Sequence, residues 1–281
     1  MATTTTTTTT AHAGGRTAPS AVVSEGEAAP VTFYTHSLCP YAHRVALCLA
    51  EKAIPHRRVH VDLSNKPSWF LKDVNPRGLV PALRVESSGE VLTESIDVCV
   101  WLEDAFREEG RPRLVPNLDG AGADGLDDAA MRRLISGFDG GFVSAGLQYV
   151  GGGWGFSRGP PNEAASSRLE AEVAKVEDAI RRSAGGRGPF LMGAEITLAD
   201  VILYPFAERF ELAAREFKGR ELRDMGGSGD GENLFARWMA AMAQRDSVAG
   251  LRPDETALLA SWRRTMRLDY FDYETADVDN P

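Results

Sequence analysis

Hydrophobic and polar positions settle into a regular pattern from residue 31 onward. Val31–Thr35 is β-branched and aromatic, as a buried strand should be, and residues 41–52 carry good helix formers at helical spacing. Ala53-Ile54-Pro55 ends that helix, and residues 57–63 alternate around Val59 and Val61 as a second strand. Residues 65–71 read as a short helical or irregular connection, and Asn75-Pro76-Arg77-Gly78 is turn chemistry. Residues 79–85 form a third expected strand entered through Pro81, Ser87-Ser88-Gly89-Glu90 a hairpin turn, and Val91-Leu92-Thr93 a short fourth strand. Glu94-Ser95 then opens a helix to about Phe106. The order is βαβ, then ββα. Past a Gly/Asp linker at residues 119–128 the pattern is helical throughout, over residues 129–150, 162–183, 198–218, 234–244 and 253–268. Thr197 caps the third of these, Asp200 closes a capping box, and Ile196 with Val201 supplies the hydrophobic staple, a structural device rather than a catalytic one.

Composition adds the ends. Residues 1–30 are low-complexity and nearly devoid of large apolar side chains, so a disordered tail is expected. Acid is absent there until Glu25 and hydroxyls abound, which suits an organelle transit peptide, but a single Arg16 supports it only weakly. Residues 269–281 form an acidic tail. The chain, 281 residues with 43% hydrophobic content, is long enough for two domains and has no apolar run of membrane-spanning length. A net charge of −9 argues against nucleic acid or an anionic membrane as partner. Three cysteines do not make a secreted disulfide framework, and a reducing compartment suits them. The cytoplasm is the expected location, with a plastid or other organelle as the alternative.

The chemistry concentrates at Cys39-Pro40-Tyr41-Ala42. Strand and helix meet at Ser37-Leu38-Cys39, and Pro40 fits the first helical position. That aims the unpaired N–H groups of the helix at the Cys39 sulfur, which favours thiolate and a depressed pKa. Ala42 stands where a dithiol motif would carry its resolving cysteine, so any second thiol must come from outside. Cys48, nine residues on along one helix, is about 13 Å away, beyond the roughly 7 Å that a disulfide allows. Cys99 is a core residue. His43 is a candidate for tuning the Cys39 pKa, against the plainer reading of a helix-surface histidine, and Arg44 reads as a salt-bridging structural residue. Tyr34 reads as core. Phe138, Phe142, Tyr149, Trp154 and Phe156 are candidates for an apolar pocket, against the commoner reading as core.

This order of elements resembles a thioredoxin-type domain. VNPRGLVPAL, then LTESIDVCVWLEDAF, with CPYAHR and DLSNKPSWF, are together similar to the glutathione-binding half of the cytosolic glutathione transferases, in particular their omega- and lambda-like cysteine-type classes. The resemblance implies a thioredoxin-like α/β domain over residues 31–116, followed by an all-α domain over residues 117–268. It implies glutathione as cosubstrate, with no metal. Cys39 would be catalytic. The Val80-Pro81 peptide, expected cis, would meet the ligand's cysteinyl backbone, Ser95 the γ-glutamyl carboxylate, Glu94 its ammonium and Lys66 the glycyl carboxylate. The implied activity is a glutathione-dependent thiol transferase or reductase acting through a Cys39–glutathione mixed disulfide on small oxidised or glutathionylated molecules, dehydroascorbate among them. The alternatives are conjugation of glutathione to electrophiles and a non-catalytic ligand-binding or membrane-associating relative. A homodimer is the implied assembly. The glycine-rich stretches at 151–159 and 219–231 depart from compact members of that family.

Overall fold

The computed structural model describes residues 28–108, 111–115, 128–151, 163–183, 188–226 and 232–265. The low-complexity segment before residue 28, the linker before residue 128, Trp154 and Phe156, residues 152–159 and 227–231 of the two glycine-rich stretches and the acidic tail lie outside the described residues, and the expectations placed on them lie there too.

Four strands form one mixed sheet in the order β2-β1-β3-β4, comprising β1 (Val31–Thr35), β2 (His56–His60), β3 (Ala82–Val85) and β4 (Val91–Thr93). β1 runs parallel to β2 and antiparallel to β3, and β3 runs antiparallel to β4. All five residues of β1 are buried, which explains why that segment lacks polar alternation. Helix α1 (Pro40–Glu51) packs on α3 (Ser95–Ala105), and the short α2 (Ser68–Asp73) sets Trp69 and Phe70 against the Tyr34 ring at 6.0 and 5.9 Å.

Three boundaries differ from the sequence reading. β2 ends at His60, because after Val61 bonds to the Thr35 carbonyl at 2.8 Å the Asp62 carboxylate gathers the N–H groups of Ser64 and Asn65 into a turn. β3 begins at Ala82: residues 79–81 form the approach to it, with Val80–Pro81 cis as the resemblance implies. Residues 68–73 are a true helix, started from Pro67 and held by the buried Phe70.

The rest is helical: α4 (Asp128–Phe138), α5 (Ser144–Gly151), α6 (Glu163–Arg182), α7 (Leu198–Ala213), α8 (Leu234–Ala243), α9 (Asp246–Leu251) and α10 (Glu255–Thr265). The pattern over residues 129–150 is not one continuous helix. A π-helical turn, Asp139–Val143, divides it where Gly141 lies so close to Glu172 that a β-carbon would stand 2.5 Å from its carboxylate oxygen. A second π turn, Ala214–Lys218, follows α7. α9 was not read from the sequence at all, since six residues leave little periodicity to detect.

The central helix is α7, buried at every residue except Glu208, and it packs against α1, α3, α4, α5 and α8. Its start is the capping box, in which Asp200 Oδ2 accepts from Thr197 N–H at 2.8 Å and from the Thr197 hydroxyl at 2.9 Å. Because α7 lies on one side of α1 and α3 on another, α1 has little solvent face, and even His43 and Arg44 are buried. No helix among the described residues is long and apolar enough to cross a membrane.

Candidate functional site

A cleft of about 850 Å³ opens between the end of the sheet, the start of α3 and the face of α4. Cys39, Lys66, Val80, Pro81, Glu94 and Ser95 all line it, so residues separated by up to 56 positions in sequence meet in one place. His43 does not line it.

Cys39 is the residue immediately before α1, with extended backbone (φ −72°, ψ 118°) and Pro40 opening the helix. Its own N–H bonds to the His36 carbonyl at 3.1 Å, and its carbonyl accepts from His43 N–H at 3.0 Å. The thiol donates to the Val80 carbonyl at 3.7 Å, tying the cysteine to the cis-proline loop. The expected N-terminal setting is therefore present, and backbone N–H groups of Ala42 and Tyr41, together with Arg209 and Arg44, do pull its pKa down. Burial is the larger effect and raises it. A depressed pKa, expected from sequence, is thus corrected: at 5% exposure the thiolate loses more hydration than the helix terminus and two cations restore.

The His43 expectation is also corrected. The side chain is buried rather than on a helix surface, and burial with the neighbouring Arg209 charge holds its pKa well below the usual histidine value. Arg209 Nη1 lies 3.2 Å from His43 Nδ1. Guanidinium only donates, so Nδ1 carries the lone pair and the ring is neutral with its proton on Nε2. Glu208, 3.9 Å from Nδ1, stands too far to hold a proton there.

Ser95 opens α3 and is buried, with its hydroxyl accepting from Arg44 Nη1 at 3.3 Å. Arg44 also donates to the Ile202 carbonyl at 2.8 Å and to Asp139 at 2.6 Å, and its guanidinium lies 4.5 Å from the Phe206 ring centroid. It is the salt-bridging residue expected, and it faces the cleft as well. Glu94, in the left-handed region at φ 65°, projects outward and accepts from Arg77 at 2.5 Å. Asn75 shapes the loop beneath, donating to the Leu79 carbonyl at 2.8 Å and accepting from Arg77 N–H at 3.1 Å. Lys66 lies across Gly78, where a β-carbon would come within 2.9 Å of its Cδ.

Tyr34 is buried and does not line the cleft, and burial pushes its phenol up. Tyr41 does line it, and burial pushes its hydroxyl up as well. Phe138, Phe142 and Tyr149 are core residues outside the cleft lining. Cys48 and Cys99 face each other between α1 and α3, the Cys48 thiol lying 3.8 Å from the Cys99 carbonyl. Arg77, Asp139 and Arg209 were missed from the sequence. Asp139 and Arg209 meet Arg44 and the Cys39 loop only through contacts 95 and 171 positions apart, a separation that leaves no local signal.

Comparison with known proteins identifies the family of the chain. The family model for the glutathione S-transferase N-terminal domain matches residues 38–105, and that for the glutathione S-transferase C-terminal domain matches residues 163–241. The chain is 30% identical to glutathione S-transferase L1 of Arabidopsis thaliana, over 83% of this chain and 86% of that protein. It is 26% identical to glutathione S-transferase omega-1 of Sus scrofa, over 87% of this chain and 88% of the relative. Among solved structures, glutathione transferase Omega 3C from Trametes versicolor superposes with a TM-score of 0.66 at 26% identity, covering 81% of this chain and 91% of its own.

Proposed function

Since the chain belongs to the glutathione S-transferase family, we propose that it is a glutathione-dependent thiol transferase or reductase whose nucleophile is Cys39. The observation that carries this reading is the placing of a lone thiol, at the start of α1 and bonded to the Val80 carbonyl, in the cleft that also holds Lys66, Pro81, Glu94 and Ser95. Neither tyrosine of this region supports the alternative, conjugating chemistry: Tyr34 lies outside the cleft, and burial raises Tyr41.

In this scheme Ser95 and the first N–H groups of α3 bind the γ-glutamyl carboxylate. Lys66 meets the glycyl carboxylate and the Val80 backbone meets the cysteinyl unit. Glu94 takes the ammonium in exchange for Arg77. That exchange is inexpensive because both partners are exposed, and such surface pairs are worth about 0–1 kcal/mol. The Cys39 thiolate attacks the glutathione sulfur of a glutathionylated molecule. A Cys39–glutathione disulfide forms, and the substrate leaves as a thiolate that takes up a proton. A second glutathione thiolate then attacks the glutathione sulfur of that disulfide, giving oxidised glutathione and returning Cys39. Ala42 provides no competing internal thiol, and Cys48 and Cys99 are buried elsewhere. A thiol with a raised pKa is compatible with this route. Its smaller thiolate fraction is partly offset by higher nucleophilicity, with a Brønsted slope of about 0.4–0.5. Small glutathionylated molecules are the proposed substrates, with dehydroascorbate as another: it takes up the two electrons, and two protons, released as the Cys39 thiol and one glutathione thiol join in the mixed disulfide, which a second glutathione then reduces, giving oxidised glutathione.

Cys39→Ser, assayed with a small mixed disulfide of glutathione, should lose activity by at least about 100-fold, while wild-type turnover should climb as pH rises from neutrality. Incubation with oxidised glutathione should add one glutathione to the intact protein, located at Cys39 and removed by reduced glutathione. Full activity in Cys39→Ser, or adducts confined to Cys48 and Cys99, would reject the proposal.

A further inference from the structure

Arg209 projects from α7 into the joint between the sheet-containing half and the helical half and is 3% exposed. Its Nε and Nη2 both donate to one acceptor, the Leu38 carbonyl, at 3.2 and 3.1 Å. Nη1 donates to the Pro205 carbonyl of its own helix at 2.9 Å and faces His43 Nδ1 at 3.2 Å. The Leu38 carbonyl belongs to the peptide that joins Leu38 to Cys39. The N–H of that same peptide is held by the His36 carbonyl at 3.1 Å, and the preceding Leu38 N–H bonds to His36 Nδ1 at 3.3 Å. Both ends of the Leu38–Cys39 peptide are therefore fixed, one by the local loop and one by a residue 171 positions away. A planar fork on one oxygen sets direction as well as distance.

Resting on the assignment of Cys39 as nucleophile, we propose that Arg209 is a positioning residue for it: the guanidinium clamps the Leu38–Cys39 peptide so that Sγ faces Val80 and the cleft, and lends the thiolate a fixed positive charge. The surrounding charges agree with this assignment. Arg44 is the second cation acting on Cys39, and Asp139 offsets it through an ion pair. Glu208 lies 3.8 Å from Arg209 and 3.7 Å from Arg252, so its carboxyl is shared between two guanidinium groups, and burial raises its pKa. His43 is neutral and contributes no charge. Tyr41, its hydroxyl raised by burial, stays uncharged as well. Arg209 itself does not line the cleft, so its influence on reaction runs through Cys39 rather than through the ligand.

The test is the pH profile of iodoacetamide alkylation at Cys39, read by peptide mass over about pH 6 to 10, alongside turnover with a small mixed disulfide. Arg209→Met should alkylate about 3- to 10-fold more slowly at neutral pH, with the profile displaced to higher pH and KM for glutathione unchanged within about twofold. Arg209→Lys keeps the charge but cannot close a two-pronged fork on the Leu38 carbonyl. It should hold the alkylation profile near wild type and lose kcat several-fold. An undisplaced profile in folded Arg209→Met, whatever its turnover, overturns the proposal. If that variant does not fold, wild-type kcat in Arg209→Lys overturns it. Retained activity in Cys39→Ser would instead reject the nucleophile assignment and leave the alkylation result standing.

Discussion

Two buried groups one helical turn apart, Cys39 and His43, show burial outweighing local electrostatics in opposite directions: a thiol is raised and an imidazole lowered, each toward its neutral form. The histidine carries a pH consequence. In the unfolded chain it titrates near about 6.5, and in the fold its pKa lies well below that. Its contribution to stability is therefore complete above the unfolded value and is lost as pH falls toward the folded one, because only the unfolded chain takes up the proton in that window. His56, lowered by burial, acts the same way, whereas Asp200 and Glu208, raised by burial, act in the opposite sense. The comparison is thus between proteins rather than between absolute slopes. In His43→Asn an amide oxygen replaces Nδ1 as acceptor for Arg209, and the fall in melting temperature between about pH 7.5 and 5.5 should be shallower than in wild type. Equal slopes would mean that His43 does not titrate in that window. Cys39 itself was legible in the sequence because its signals are local: strand, short loop, Pro40, helix. The direction of its pKa was not legible, because desolvation depends on residues such as Val80 and on α7 packed over α1, none of them nearby in sequence.

Among the elements, α7 is held at its start by a buried carboxylate. Asp200 is wholly buried and accepts four hydrogen bonds, from Leu191 N–H at 2.9 Å, Thr197 N–H at 2.8 Å, the Thr197 hydroxyl at 2.9 Å and Trp238 Nε1 at 2.9 Å. Burial nonetheless raises its pKa, so the four donors compensate for only part of the lost hydration. Asp200→Ala leaves those donors without their acceptor and should cost on the order of 3–5 kcal/mol, or roughly 6–20 °C in melting temperature for a chain of this size. Thr197→Ala, which removes one hydroxyl, should cost about 1 kcal/mol. Calorimetry on the two variants checks both size and order; a loss under about 1 kcal/mol in Asp200→Ala would remove this cap from the account of stability. Thr197 and Asp200 were visible as a box from their spacing alone, because that motif lies within one turn. The bonds from Leu191 and Trp238 were not, since the box does not say which loop and which helix will lie against it. The same distinction explains the strand ends: alternation around Val59 and Val61 indicated a strand, while the Asp62 turn that stops it at His60 depends on hydrogen bonds that periodicity does not report.

Across the whole molecule, buried and half-buried charges join the two halves. Arg44 reaches from α1 to the Ile202 carbonyl and Arg209 returns from α7 to the Leu38 carbonyl. Leu198 N–H bonds to the Leu114 carbonyl at 2.7 Å, and Arg245 makes a two-pronged pair with Glu51 at 2.6 Å on each oxygen. Within the first half, Lys52 and Glu103 form a buried pair at 2.6 Å between the end of α1 and α3, with Lys52 also reaching the Pro112 carbonyl at 3.2 Å. Separating the halves would strip partners from Arg44, Arg209 and Glu51 together, leaving charges that the fold has already removed from water. The helical half should therefore not melt while the sheet half stays intact, or the reverse. Each half contains its own probe. Cys48 and Cys99, fully buried between α1 and α3, become reactive to a thiol reagent when the sheet half opens, whereas in a Trp69→Phe/Trp101→Phe background, which removes the tryptophans of α2 and α3, Trp238 and Trp262 report the helical half by fluorescence. The two probes should show coincident midpoints in urea. Glu51→Ala should move both midpoints down together, by about 1–3 kcal/mol of stability, because it leaves Arg245 without its carboxylate at the joint. Two separated midpoints in wild type would show that these ties do not couple the halves. In that case the Arg209 clamp on the Cys39 loop could open without global unfolding, and thiol reactivity at Cys39 would rise in urea before either midpoint.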